Sequence, residues 1–203
     1  MTPEIKAKLL EKYRTFNVDH IDWWDCVYEQ FQEDMKTVGI RVDEMYFSGF
    51  WSQGDGACFE GVVENWDLFL KSLGHDNEYL INEATYNWTF SSKHQGHYYH
   101  ENCVAFFDDS ISLPNHADDE DWAHYYLDGK EELRKAVIVS QLAQYSGIES
   151  DFVEAFKRHM RDLYSRLEDE YDNLTSDEAV LEALEANDML EEAINELTEH
   201  EHA

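Results

Sequence analysis

The sequence reads as an α+β protein: a small antiparallel β-sheet of about three strands packed with helices, then an all-helical acidic C-terminal half. Three observations carry this reading. Between Ile40 and Phe107, β-branched and aromatic residues gather in short runs bounded by glycines. Both ends of the chain instead space their apolar residues three and four apart. A hydrophobic fraction of 43% and an aromatic fraction of 14% supply a core that a disordered acidic chain would lack.

Taken in order, Thr2-Pro3 opens a helix, with Thr as N-cap and Pro where its missing N–H costs nothing, and this helix should reach Phe16. A second helix is expected from Asp19 to Thr37, its face made by Trp24, Val27, Tyr28, Phe31 and Met35, with Gly39 ending it. Ile40–Trp51 reads as a strand, and Ser52–Ala57 as a tight loop whose glycines supply positive φ while Phe50 and Trp51 enter the core. A short extended piece and a helix over Val62–Leu73 follow.

Thr85–His94 and His97–Phe107 read as a hairpin about Gln95-Gly96. A two-residue turn would pair His94 with His97 and Trp88 with Cys103, setting Tyr86, Trp88, Phe90, Tyr99, Cys103 and Ala105 on one apolar face. From Asp118 onward the pattern is helical, broken at Asp128-Gly129 and near Gly147. Phe156, Met160, Leu163, Leu167 and Leu174 then form a near-heptad stripe. Thr175-x-x-Glu178 reads as a capping box opening a further helix, and Asp188-x-x-Glu191 as another cap. The expected organisation is an α+β core over residues 1–110, with its hairpin at 85–107, and an acidic helical region over 111–203.

Three cysteines, Cys26, Cys58 and Cys103, are too few and too far apart for a disulfide framework and fit a reducing compartment. The first residues lack the apolar stretch of a secretory signal, and no run approaches the roughly 18 apolar residues of a membrane span. A cytoplasmic protein without a membrane partner is expected.

Forty-five Asp and Glu against fifteen Lys and Arg give a formal charge of −30. That repels nucleic acid and favours a basic partner. Residues 167–203 hold 14 acids and no Lys or Arg, yet Val180, Leu181, Leu184, Met189, Leu190, Ala193, Ile194 and Leu197 keep one side of each helix apolar. Carboxylates on such helices recur at roughly one per 4 Å of axis, against about one phosphate per 3.4 Å on one DNA strand. A charge run of this kind is ordinarily a solvated face. Here the surplus far exceeds the magnitude of about 2–8 that keeps a small domain soluble.

Two other constellations hold reactive residue types. His94-x-x-His97-x-x-His100-x-x-Cys103 has ligand-like spacing, but on a hairpin His100 points away from His94 and His97, so no metal is expected. Asp55 between two glycines, with Cys58 and a hairpin histidine, has the makings of a nucleophile site, against the plainer reading of a connecting loop. No cofactor fingerprint is present, and no cofactor is expected.

Phe47-Ser48-Gly49-Phe50-Trp51-Ser52-Gln53-Gly54-Asp55-Gly56-Ala57, with Gly96-His97-Tyr98-Tyr99-His100-Glu101, resembles a pattern of small acidic proteins of bacteriophages and prophages. The resemblance spans residues 45–107 and implies a phage or mobile-element source, hence the cytoplasm of a host bacterium. In charge, though in no motif, the chain is similar to phage antirestriction DNA mimics.

The function expected from these readings is non-enzymatic. The protein would occupy the basic groove of a host DNA-binding protein of defence, restriction or repair, and inhibit it. The phosphate-mimicking carboxylates would be Glu168, Asp169, Glu170, Asp172, Asp177, Glu178, Glu182, Glu185, Asp188, Glu191, Glu192 and Glu196, with Asp118, Asp119, Glu120 and Asp121 as a second patch. A homodimer through the Phe156–Leu174 stripe would lengthen that surface. The alternatives are an interaction regulator of antitoxin or polymerase-binding type, with exposed aromatics as its hot spot, and an enzyme centred on Asp55 and Cys58.

Overall fold

A computed structural model describes residues 1–19, 22–108, 142 and 145–200. The patch Asp118–Asp121, the helical reading of 118–141 and the expected boundary at residue 110 lie outside the described residues. By internal contacts the chain divides into a terminal unit, Met1–Gln30 with Ser165–Ala203, and a central unit, Phe31–Tyr164.

The central unit is built on a four-stranded antiparallel sheet in the order β1-β2-β3-β4, one strand more than expected: β1 Ile40–Ser48, β2 Gly56–Val63, β3 Ser91–His94 and β4 Val104–Phe107. Between β1 and β2 the register runs from Ile40 opposite Val63 to Ser48 opposite Gly56, with a bulge between Val42 and Glu44. β2 lies between two strands and is buried at nearly every position, so it carries Ala, Cys, Phe and Val rather than an alternating pattern. The buried Ser92 is satisfied there: its Oγ accepts from Gly61 N–H at 3.1 Å and donates to Phe59 O at 3.0 Å.

Helices α3 (Trp66–Ser72) and α4 (Glu78–Asn87) follow β2, each N-capped by an asparagine, Asn65 and Asn77. α2 (Asp25–Thr37) stops at Gly39, whose φ of 79° requires glycine. A Cβ there would come 2.2 Å from Asn65 O, which closes the site to any other residue. α5 (Glu149–Leu174) starts just after Gly147 and brings Phe152 and Phe156 to the core. Their rings lie 5.5 and 5.1 Å from Phe90, and Phe156 lies 5.4 Å from Phe59. Such aromatic pairs add about 0.5–1.5 kcal/mol each beyond area burial.

The terminal unit holds α1 (Pro3–Tyr13), α6 (Asp177–Ala186), α7 (Leu190–His200) and the end of α5. Leu9, Leu10, Val180, Leu184 and Ala193 form its core, flanked by Leu181, Leu190, Ile194 and Leu197. The positions on α6 and α7 are those that the sequence pattern picked out; Leu9 and Leu10 of α1 join them.

Several expected boundaries move. The second helix begins at Asp25 rather than Asp19, because Trp23 and Trp24 form a turn with rings edge-to-face at 5.7 Å. β1 stops at Ser48, since Gly49 and Trp51 both take positive φ and break the strand. The hairpin is shorter and its register differs from that expected: His94 pairs with Val104 and Ser91 with Phe107. Residues 95–103 form the connecting loop, closed by Gln95 N–H to Cys103 O at 2.7 Å. Thr85, Tyr86 and Asn87 belong to α4, where Leu80 and Ala84 bury one face and Thr85 Oγ donates to Ile81 O at 2.6 Å. Helical spacing from Asn77 thus overrides the period-two reading from Thr85.

The cap of α6 is Ser176, extended at φ −65° and ψ 155°, whose Oγ accepts from Ala179 N–H at 3.2 Å. Thr175 does not cap, because its hydroxyl bonds back to Tyr171 O at 2.8 Å. Asp188 is no cap of α7 either. It is the left-handed residue, φ 57°, that ends α6: Asp188 N–H reaches Glu185 O at 3.0 Å and Met189 N–H reaches Leu184 O at 2.9 Å.

Candidate functional site

The twelve C-terminal candidate carboxylates all lie in the terminal unit. Asp169, Asp172, Asp177, Glu178, Glu182, Glu185, Asp188, Glu191, Glu192 and Glu196 are exposed, and Glu168 and Glu170 are half-buried. Val180, Leu184 and Ala193 are buried on the same helices, so packing fixes which side the acids face. Two acids meet cations of the unit: Asp177 pairs with Arg14 at 2.7 Å and Glu196 with Lys12 at 2.7 Å. The Glu196 hydrogen bond holds the Lys12 ammonium above its usual pKa. Among the described residues, no cation pairs with Glu178, Glu182, Glu185, Glu191 or Glu192.

The sequence reading missed what sets this display. Arg14 donates to Thr175 O at 2.9 Å as well as to Asp177, and Asn17 Nδ2 donates to Leu174 O at 2.8 Å and Ala179 O at 3.3 Å. Residues just after α1 therefore cover the carbonyls left open where α5 ends, and hold the α5–α6 corner. The signal was a pair of polar side chains directly after an amphipathic helix.

The central unit holds a cleft of about 290 Å³ beside the Ser48–Cys58 segment. Asp55, His100 and Glu101 line it from two loops, and Met160, Arg161 and Tyr164 from α5. Asp55 Oδ2 accepts from Ser52 N–H at 2.7 Å. Arg161 donates to both oxygens of Glu101 at 3.0 Å and to Glu154 at 2.5 Å, which draws the Glu154 carboxyl below its usual range. Glu101, with its side chain 15% exposed, ties the 95–103 loop to α5. The His100 ring lies over Gly56, where a Cβ would come within 2.9 Å of it.

Of the alternative nucleophile site, Cys58 is withdrawn from solvent. That desolvation pushes its thiol up to about 12, so the thiolate is suppressed at neutral pH. Two histidines of the ligand-like run have separate partners. His94 packs on Tyr46 and Tyr99, at 5.1 and 5.0 Å between ring centroids, and His100 Nδ1 accepts from Asn102 N–H at 3.1 Å. Among the described residues, no group of three His, Cys, Asp or Glu could hold a metal ion. Nor is any helix among them long and apolar enough to cross a membrane.

Trp51, expected in the core, is 68% exposed, and Tyr98 is 61% exposed. The two belong to the loops that wall the cleft. Tyr98 lies 3.3 Å from the Cβ position of Gly54, and Phe50, ring to ring with Trp51 at 5.7 Å, lies 5.6 Å from Tyr164.

Compared with known proteins, the chain matches no curated protein and no solved structure. One family profile matches over residues 23–177, more than half of the sequence, and the chain therefore belongs to DUF8835, a domain of unknown function.

Proposed function

We propose that the protein is an acidic, DNA-mimicking inhibitor that seats its C-terminal helices in the nucleic-acid groove of a basic host protein. The observation that carries this reading is the mounting of the acids: exposed carboxylates on α6 and α7, with the opposite faces buried in the terminal core. A pre-arranged display avoids the ordering cost that a flexible acidic tail meets on binding. Each carboxylate would stand where a phosphate oxygen meets Arg or Lys on the target. The family match ends at Asp177, so Glu178 to Glu196 lie beyond it.

The reading predicts fast, steered and salt-sensitive association. The test captures partners from bacterial lysate on the immobilised full chain at about 0.05 M and 0.5 M salt, where screening differs several-fold. Captured proteins should be released by high salt or by competing duplex DNA. Replacing Glu178, Glu182, Glu185, Glu191 and Glu192 together by Gln should weaken capture by about a hundredfold or more, at up to about 1 kcal/mol per exposed pair. Equal capture by that variant, or no competition by DNA, would overturn the proposal. A complex indifferent to salt would instead favour a conventional regulator, the reading for which the exposure of Trp51 and Tyr98 speaks.

A further inference from the structure

One face of the sheet is covered by a loop that is held there by side chains. Ser48 lies opposite Gly56 and Tyr46 opposite Cys58, so these positions belong to one face of β1 and β2, with Glu60 next along β2. The 95–103 loop crosses that face. A Cβ at Gly56 would meet His100 Cδ2 at 2.9 Å and Tyr99 O at 3.1 Å. The Tyr99 ring stacks on Tyr46 at 5.2 Å. His94, at the end of β3, packs on both rings and donates its backbone N–H to Glu60 at 3.2 Å. Cys58 lies between Gly56 and Glu60 and beside Tyr46, and is fully buried there.

Two features set this cover apart from packing that only completes a core. Among the described residues, its main chain bonds within the hairpin alone: Gln95 N–H to Cys103 O, Cys103 N–H to His100 O, and Tyr98 O with His94 Nε2. Its outward hydrogen bonds are made by side chains, Glu101 with Arg161 and Asn102 with Lys157. Such a segment can lift without breaking the strand ladder. The closed position also carries a cost. Ser48 Oγ is buried with no hydrogen-bond partner, and an orphaned hydroxyl regains water only when its cover leaves. Release strands no charge, because Arg161 keeps Glu154 on its own helix while Glu101 passes to solvent.

We infer that residues 96–102 are a lid, latched by Glu101 on Arg161, which lifts while β1 to β4 stay paired and opens Ser48 and Cys58 to water and small reagents. All of its parts belong to the central unit, and the acidic helices play no part in it.

The test labels the full chain with N-ethylmaleimide at about pH 8, where exposed thiols react readily, and reads each cysteine by peptide mass spectrometry. Amide exchange along β1 and β2 reports on the ladder. Glu101→Gln gives up a charge-assisted, bidentate bond and should speed Cys58 labelling about tenfold or more. Exposed Cys26 should label at one rate throughout. Glu154→Gln leaves the Glu101 bond in place and should change the Cys58 rate by no more than about twofold. Ser48→Ala removes the orphaned hydroxyl from the closed form and should slow Cys58 labelling about fivefold. Strand exchange should stay as in the native chain in every variant. Unchanged Cys58 labelling in Glu101→Gln would overturn the lid, as would faster labelling in Ser48→Ala. So would strand exchange that rises together with Cys58 labelling, since the thiol would then be reached by opening of the sheet.

Discussion

The terminal unit carries 20 acids and 5 Lys or Arg on 69 residues, and the central unit 25 acids and 10 Lys or Arg on 134. Each thus holds a net −15, the terminal unit at about twice the density. Their cores differ in the opposite sense. The six fully buried phenylalanines, Phe31, Phe59, Phe69, Phe90, Phe152 and Phe156, all lie in the central unit. The terminal core is a smaller set of Leu, Val and Ala. The more repulsive surface therefore rests on the weaker core, an arrangement that costs stability through self-repulsion. It is intelligible if those acids are there for a partner.

The comparison can be broken most sharply at the two cores. Phe156→Ala removes a ring that meets Phe59, Phe69, Phe90 and Phe106, and should cost about 3–5 kcal/mol. Leu184→Ala in the terminal unit should cost about 2–3 kcal/mol, the lower part of the leucine range, because short helices can close on the space. Urea denaturation followed separately at β2 and α6 amides would measure both. If Leu184→Ala costs more than Phe156→Ala, the ranking of the cores is wrong.

The thiols sharpen the comparison next. Burial raises Cys58 from an ordinary 9 to about 12, so its folded form holds a proton that the unfolded chain would release. Its contribution to stability is complete below about pH 9 and is lost as pH rises toward 12. At pH 8, Cys26, which is exposed, should react with a disulfide reagent within seconds to minutes. Cys58 should react about a thousandfold more slowly unless the sheet opens, a factor that follows from three pH units of thiolate suppression. Equal rates at Cys26 and Cys58 would mean that β2 is not sealed.

Much of this was legible from residue patterns, for reasons that are local. The amphipathic spacing of Val180, Leu184, Ala193 and Leu197, the Thr2-Pro3 start and the stop at Gly39 each depend on neighbours within one or two turns, and all appear in the structure. What failed depended on competition between elements. Thr85–Asn87 alternates like a strand, yet Asn77, eight residues earlier, starts a helix that consumes it. Trp51 reads as a core residue by type, and only the positive φ values after β1 turn it outward. Of the candidate site, the acids could be found from charge and periodicity. The cleft could not, because Asp55, Glu101 and Arg161 come from loops and a helix separated by 46 and 60 residues.

The smallest effect tests the corner that aims the acids. A capping box at Thr175 predicts that the threonine hydroxyl matters and the serine hydroxyl does not, whereas the geometry assigns the opposite. Ser176→Ala removes the acceptor for Ala179 N–H and should cost about 1 kcal/mol. Thr175→Val keeps the shape of a nearly buried side chain and gives up a back-bond to Tyr171 O, which already accepts Thr175 N–H. That exchange should cost less than about 0.5 kcal/mol, since such back-bonds add little to a helix end. Thermal melts of both variants, with α6 amide exchange as the local readout, would decide between them. A larger loss at Thr175 would return the cap to the threonine and rotate the first turn of α6, along with the direction in which Asp177 and Glu178 face.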